Sequence, residues 1–185
     1  MPQIYQCDAT SINIYRQMFS FNELMIIASK CEMLYLWCVA LMNKNETVSE
    51  TEETAISLEA LFKALPNVKS FTYFLPDNSE NIITTKTAEE LVKIPHFLSL
   101  DEFTMREIPE IFDITSFYGH IKENKITKIN LYFSDPISDE YKTRLQTIVD
   151  QILETENRDY KVPWISFSGI TNSSFGKMLA LYREN

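Results

Sequence analysis

The chain has 185 residues, which suits a single domain, and its 45% hydrophobic and 23% charged content excludes wholesale disorder, collagen-like and coiled-coil architectures. Twenty-six acids against 17 bases give a net charge of −9, which argues against a nucleic-acid backbone or an anionic membrane as the main partner. Only three glycines are present (Gly119, Gly169 and Gly176), so a phosphate-cradling loop or a nucleophile elbow has nothing to be built from.

Met1-Pro2-Gln3-Ile4-Tyr5-Gln6-Cys7-Asp8 has neither a basic n-region nor an apolar h-region, so no targeting segment is expected. Ile12 and Ile14 read as a degenerate first strand. Ser20-Phe21-Asn22-Glu23 reads as a capping box, because hydroxyl and carboxylate can each satisfy an orphan N–H of the first turn. The helix continues through Leu24, Ile27 and Ala28. Residues 33–42 are the longest apolar run, shorter than the ~18 a membrane span needs, and read as one buried strand. Residues 43–54 are the clearest loop: Glu46, Glu50, Glu52 and Glu53 among Thr and Ser, read as an acidic mobile insertion with a docking segment as the functional alternative. Ser57 is placed to cap a helix carrying Leu58, Leu61, Phe62 and Leu65. After a polar turn from Asp77 to Glu80, Thr87-Ala88-Glu89-Glu90 reads as a second capping box, before Leu91 and Ile94. Asp113 caps a helix with Phe117, His120 and Ile121. Ser138, after Pro136, opens the longest helix, with a face of Tyr141, Leu145, Ile148, Val149 and Ile152. From Asn172 a last helix with Phe175, Leu179 and Tyr182 is positioned to cap the open end of a repeat array.

The strands share one template: apolar, two residues, apolar, two residues, apolar, one residue, apolar. Ala28, Cys31, Leu34 and Leu36 fit it, as do Leu65, Val68, Phe71 and Tyr73, and Phe97, Leu100, Phe103 and Met105. Partial copies are Ile126, Ile129, Leu131 and Val162, Ile165, Phe167, which would align Ile165 with Ile129. Helix–strand units need crossovers, so neighbouring strands should be parallel. The second strand face reads Thr72, Thr104, Asn130 and Ser166, too polar for a sheet covered on both sides. The expected fold is an α/β, irregular leucine-rich-repeat-like solenoid over residues 1–185, with five or six parallel strands and helices on one face. A doubly wound sheet is the alternative.

Period two then sends Tyr15, Trp37, Phe74, Arg106 and Tyr132 to the open face, with Tyr35 and Trp164 beside them. Aromatics and Arg dominate interaction hot spots, so this row is the candidate surface for a protein partner. The competing explanation is that the N-terminal segment or the last helix covers it. Cys7, Cys31 and Cys38 match no zinc spacing and read as small buried hydrophobes of a reducing compartment, the cytoplasm or nucleus. His96 and His120 lack a neighbouring acid or nucleophile in a known arrangement, and the acids Asp101, Glu102, Glu107, Glu110, Asp139 and Glu140 form no motif. No catalytic, metal or cofactor residue is therefore nominated. The runner-up function is a small α/β enzyme or ligand-binding protein with a site at the carboxyl ends of the strands.

Leu65-Pro66-Asn67-Val68-Lys69-Ser70-Phe71 resembles the opening of a repeat strand. Phe112-Asp113-Ile114-Thr115-Ser116-Phe117, with Ile129-Asn130-Leu131-Tyr132-Phe133 and Ile137-Ser138-Asp139-Glu140-Tyr141-Lys142, resembles a block of a nematode-expanded leucine-rich-repeat-like family often associated with an N-terminal F-box. The resemblance spans residues 21–169. It implies a substrate-recruiting or adaptor subunit of a ubiquitin ligase, although the residues before Ser20 are too few to hold the F-box itself.

Overall fold

A computed structural model describes residues 7–43, 54–77 and 82–184. In chain order the elements are β1 (Ser11–Tyr15), β2 (Met18–Ser20), α1 (Phe21–Ala28), β3 (Met33–Trp37), β4 (Ala40–Asn43), β5 (Thr54–Ala55), α2 (Leu58–Ala64), β6 (Ser70–Phe74), α3 (Thr87–Leu91), β7 (Glu102–Ile108), α4 (Ile114–Ile121), β8 (Lys128–Phe133), α5 (Asp139–Glu154), β9 (Trp164–Ser166) and α6 (Asn172–Arg183). The main sheet has six strands in the order β1-β3-β6-β7-β8-β9, every neighbouring pair parallel. The chain is therefore α/β with a six-stranded parallel sheet.

The apolar template lies on one side of that sheet. Leu34, Phe71, Phe103 and Ile129 are aligned in register, and Leu36, Tyr73, Met105 and Leu131 follow two residues on; all eight are buried. The helices close over this side. Phe62 of α2 packs against Phe71 and Phe103, Phe117 of α4 against Phe103, and Tyr141 of α5 against Phe133. Leu24 of α1 and Leu91 of α3 join the same core. Burial of Tyr73 is compensated by its hydroxyl, which donates to the Val39 carbonyl at 2.6 Å.

Three helix starts follow their side-chain chemistry. Ser20 and Glu23 form the reciprocal capping box, at 3.2 Å and 2.8 Å. Asp113 accepts from the backbone N–H groups of Thr115 and Ser116, and Ser138 accepts from Tyr141 N–H. The second expected capping box does not form. Thr87 lies inside α3, and its buried hydroxyl accepts from Thr84 N–H instead of a helix donor.

Other departures have physical causes. Residues 33–42 are two strands, because Cys38 turns the backbone at φ 49° and β4 leaves for a second sheet of order β2-β4-β5. Arg16, at φ 46°, makes the same turn between β1 and β2. Residues 43 and 54, the ends of the acidic loop, face each other in the antiparallel β4–β5 pair. Glu46, Glu50, Glu52 and Glu53 lie outside the described residues, as does most of the turn from Asp77 to Glu80. Ile126 does not fill its template position: it is 57% exposed. Buried Asn124 organises that turn, accepting from the N–H groups of Ile126 and Thr127 and donating to the Thr127 carbonyl. Ile165 aligns with Leu131, not Ile129, a shift of two residues that keeps its face but moves its neighbours.

The last helix leaves the common side. Near its start, Ser174 is hydrogen-bonded to Gln146 and Asp150 of α5. Near its end, the Tyr182 hydroxyl donates to Asn130 Oδ1 at 2.5 Å, on the opposite sheet face. α6 thus wraps the β9 edge, so the helices are not confined to one face.

Candidate interaction surface

The strand registers build the open face in rows. One row reads Asn13, Tyr35, Thr72, Thr104, Asn130 and Trp164; the next reads Tyr15, Trp37, Phe74 and Arg106, then Tyr132 and Ser166. Tyr15, Trp37, Phe74, Arg106 and Tyr132 are thus brought together on five adjacent strands. The two-residue shift of β9 puts Ser166 in the aromatic row and Trp164 in the polar one.

The aromatic row is a continuous ladder. Tyr15 and Trp37 stack with ring centroids 6.2 Å apart, and Trp37 and Phe74 at 4.5 Å with planes 17° apart. Trp37 is thus stacked between Tyr15 and Phe74. The Arg106 guanidinium carbon sits 3.9 Å from the Tyr132 ring centroid, a cation–π pair. A β-bulge makes that pair possible: between Met105 and Ile108 the register shifts, so Arg106 and Glu107 together oppose Tyr132. Glu107 carries the bulge at φ 58°, a strained conformation for a residue with a Cβ. Exposure falls along the ladder: Tyr15 is 60% and Trp37 41% exposed, whereas Phe74, Arg106 and Tyr132 are half-buried. Tyr35 lies beside them, also half-buried.

Trp164 is a correction. It is only 8% exposed, because Phe175 and Tyr182 of α6 lie against its ring at 5.4 Å and 5.7 Å. Under α6 the face is polar and satisfied. Asn130 Nδ2 donates to Glu102 and to Thr104, while its Oδ1 accepts from Tyr182. Lys128 lies 5.3 Å from the Tyr182 ring, and its hydrogen bond with the Tyr182 hydroxyl raises its pKa. The spacing of Phe175, Leu179 and Tyr182 predicts this helix, and Phe175 and Tyr182 are the residues that meet Trp164.

At the carboxyl ends of the strands, where α/β sheets bind ligands, there is a cleft of about 600 Å³ lined by Pro76, Asp77, Glu107, Pro109, Glu110, Ile111, Ser134 and Pro136. Burial, then the nearby Asp135 and Asp77, raise the Glu107 pKa. Two other polar groups of the cleft are engaged structurally. Glu110 accepts from Ser138 N–H, which holds its pKa low, and the Ser134 hydroxyl donates to the Ile108 carbonyl. His96 and His120 are on the helix side, against Phe62 and against Phe97 and Phe117, and burial lowers both pKa values. Asp139 and Glu140, in the first turn of α5, pair with Lys142 and Arg144.

Cys7, Cys31 and Cys38 are free thiols, Cys31 buried and the other two half-buried. Burial is the main cause of the raised pKa of Cys31 and of Cys38. Among the described residues, no group of three or more His, Cys, Asp or Glu is placed to hold a metal ion, and no helix is long and apolar enough to cross a membrane. The chain matches no protein-family model, no curated protein and no solved structure.

Proposed function

We propose that this chain is a non-catalytic protein-interaction module that holds a partner polypeptide on the open face of its six-stranded sheet. The observation that carries the reading is the stacked row of Tyr15, Trp37 and Phe74, continued by the Arg106–Tyr132 pair, on the part of the sheet that neither α1–α5 nor α6 covers. Ordered aromatics and Arg lose little conformational entropy on binding, which suits them to anchor a partner. Tyr35 flanks the row from the adjacent one; Trp164 is outside the proposed contact.

The uneven strand–helix units and open face support an irregular leucine-rich-repeat-like solenoid. Through the family resemblance they support a substrate-recruiting or adaptor role in ubiquitin ligation, and the free thiols support the cytoplasm or nucleus as its place of work. The cleft beside Glu107 favours a second reading, a ligand-binding or catalytic site at the strand ends. It ranks lower because Glu110 is held by Ser138 at the start of α5 and neither histidine lines the cleft.

The test is affinity purification with mass spectrometry, using the wild type, Trp37→Ala, and a control, Ile126→Ser, away from the row. Partners retained by wild type and control but lost by Trp37→Ala are expected. Binding of a purified partner should weaken about 30-fold, the ~2 kcal/mol of a hot spot. A partner set indifferent to Trp37→Ala overturns the surface. A sensitive set lacking ubiquitin-ligase subunits overturns the adaptor role alone.

A further inference from the structure

Among the described residues, the two sheets share one unpaired edge. β1 ends the six-stranded sheet and β2 ends the three-stranded sheet, so residues 11–20 form a continuous outer border. That border holds one formal charge, Arg16, at the bend between the strands. Soluble proteins usually blunt such edges with Lys, Pro, a bulge or a covering element. The opposite edge, β9, is wrapped by α6. β1 has no charged residue or proline in Ser11–Tyr15, and among the described residues no strand pairs with its outer side. Of the nine large hydrophobic side chains that are exposed among the described residues, five (Tyr15, Met18, Ile26, Met33 and Trp37) fall in β1, β2, α1 and β3.

We propose that the partner of this edge is a second copy of the same chain, joined β1 to β1 in antiparallel fashion about a two-fold axis through Asn13. The strand is self-complementary about that residue. The axis pairs Ile12 with Ile14 of the second copy on the helix side, where Ile14 is buried and Ile12 half-buried. On the open side it sets Ser11 opposite Tyr15 of the second copy. Ser11 neighbours Met33 in the β1–β3 register, and its small side chain leaves the Tyr15 ring room to reach the Met33 thioether. Symmetry repeats the contact, so two exposed Tyr and two exposed Met side chains are covered. Charge places such a contact at this edge. Two chains of net charge −9 repel, and their contact is least opposed where each presents an uncharged strand. This pairing shares Tyr15 with the partner surface proposed above and leaves Trp37, Phe74, Arg106 and Tyr132 free.

Sedimentation velocity and light scattering on the full chain at micromolar concentration test it. Wild type and Asn13→Gln should show twice the monomer mass. Asn13→Lys sets two ammonium groups against each other at the axis and should give monomers with unchanged far-UV circular dichroism. Should that variant not fold, Asn13→Cys oxidised with diamide should yield a disulfide between the two substituted positions, mapped by mass spectrometry. A monomeric wild type, a dimer that survives Asn13→Lys, or an oxidised Asn13→Cys dimer without that disulfide overturns the proposal. A monomeric wild type that still captures its partner separates this failure from failure of the functional reading.

Discussion

Tyr15→Ala and Trp37→Ala, measured beside Phe103→Ala, decide whether the aromatic row exists for folding or for binding. Complete burial of a large apolar side chain is worth about 3 kcal/mol. Tyr15 is 60% exposed, so its covered two-fifths is worth about 1 kcal/mol. Trp37 is covered over roughly three-fifths of its surface, worth about 2 kcal/mol, and removal leaves no closed void because the site opens to solvent. Phe103 is fully buried among Phe62, Phe71, Phe97 and Phe117, with ring centroids 5.0 to 6.3 Å away. Its truncation forfeits the whole transfer energy and leaves an enclosed cavity, a cost of about 3–5 kcal/mol. Urea unfolding followed by circular dichroism gives all three values, at one fixed protein concentration because association would add to apparent stability. The expected order is Tyr15→Ala, then Trp37→Ala, then Phe103→Ala, in rising cost. If either row variant destabilises as much as Phe103→Ala, the row is core structure and the binding reading loses its basis.

Asn124→Ala should cost about 2 kcal/mol in urea unfolding, because two turn N–H groups and a carbonyl lose their partner, whereas Ile126→Ser two residues on should be close to neutral. Asp113→Ala should cost about 1–2 kcal/mol through loss of two backbone hydrogen bonds at the start of α4, and Asp113→Asn should recover most of it. His96 and His120 have folded-state pKa values below the ordinary value of about 6.5, through burial. The unfolded chain then binds more protons as pH falls, so stability present above about pH 6.5 should decline toward pH 5. His120→Gln should flatten that decline in unfolding experiments at several pH values; an unchanged slope would locate its source elsewhere.

The helix side of the fold was legible because its determinants are local. Ser20 with Glu23, Asp113 and Ser138 satisfy first-turn donors within three residues, so spacing alone predicts them. Thr87 satisfies the same pattern and fails, because the Thr84 N–H claims its hydroxyl. The second sheet was not legible: it depends on left-handed turns at Arg16 and Cys38, which no glycine marks. The registers of β1, β3, β6 and β7 follow from the shared apolar template, and so does the meeting of Tyr15, Trp37, Phe74 and Arg106. The β9 register does not follow, since three strand residues carry too little pattern to resolve a slip of two. That slip moves Trp164 into the polar row under α6 and Ser166 out of it.

The two ends of the sheet meet the same physical problem in different ways. At β9 the chain supplies its own cover: α6 crosses the edge, buries Trp164, and answers the polar groups of Asn130 with the Tyr182 hydroxyl. At β1 the strand is uncharged and its neighbours Tyr15, Met18, Met33 and Trp37 stay exposed. The exposure gradient of the ladder runs the same way, from half-buried Tyr132 to Tyr15 at the open edge. Hydrophobic surface on this strongly acidic chain is therefore concentrated where a second polypeptide can reach it without meeting charge. Both proposals rest on this asymmetry and share the Tyr15 side chain; the edge adds backbone N–H and C=O, and the row adds Trp37, Phe74, Arg106 and Tyr132. Asn13→Lys therefore perturbs association through the edge, whereas Arg106→Ala perturbs only capture by the row.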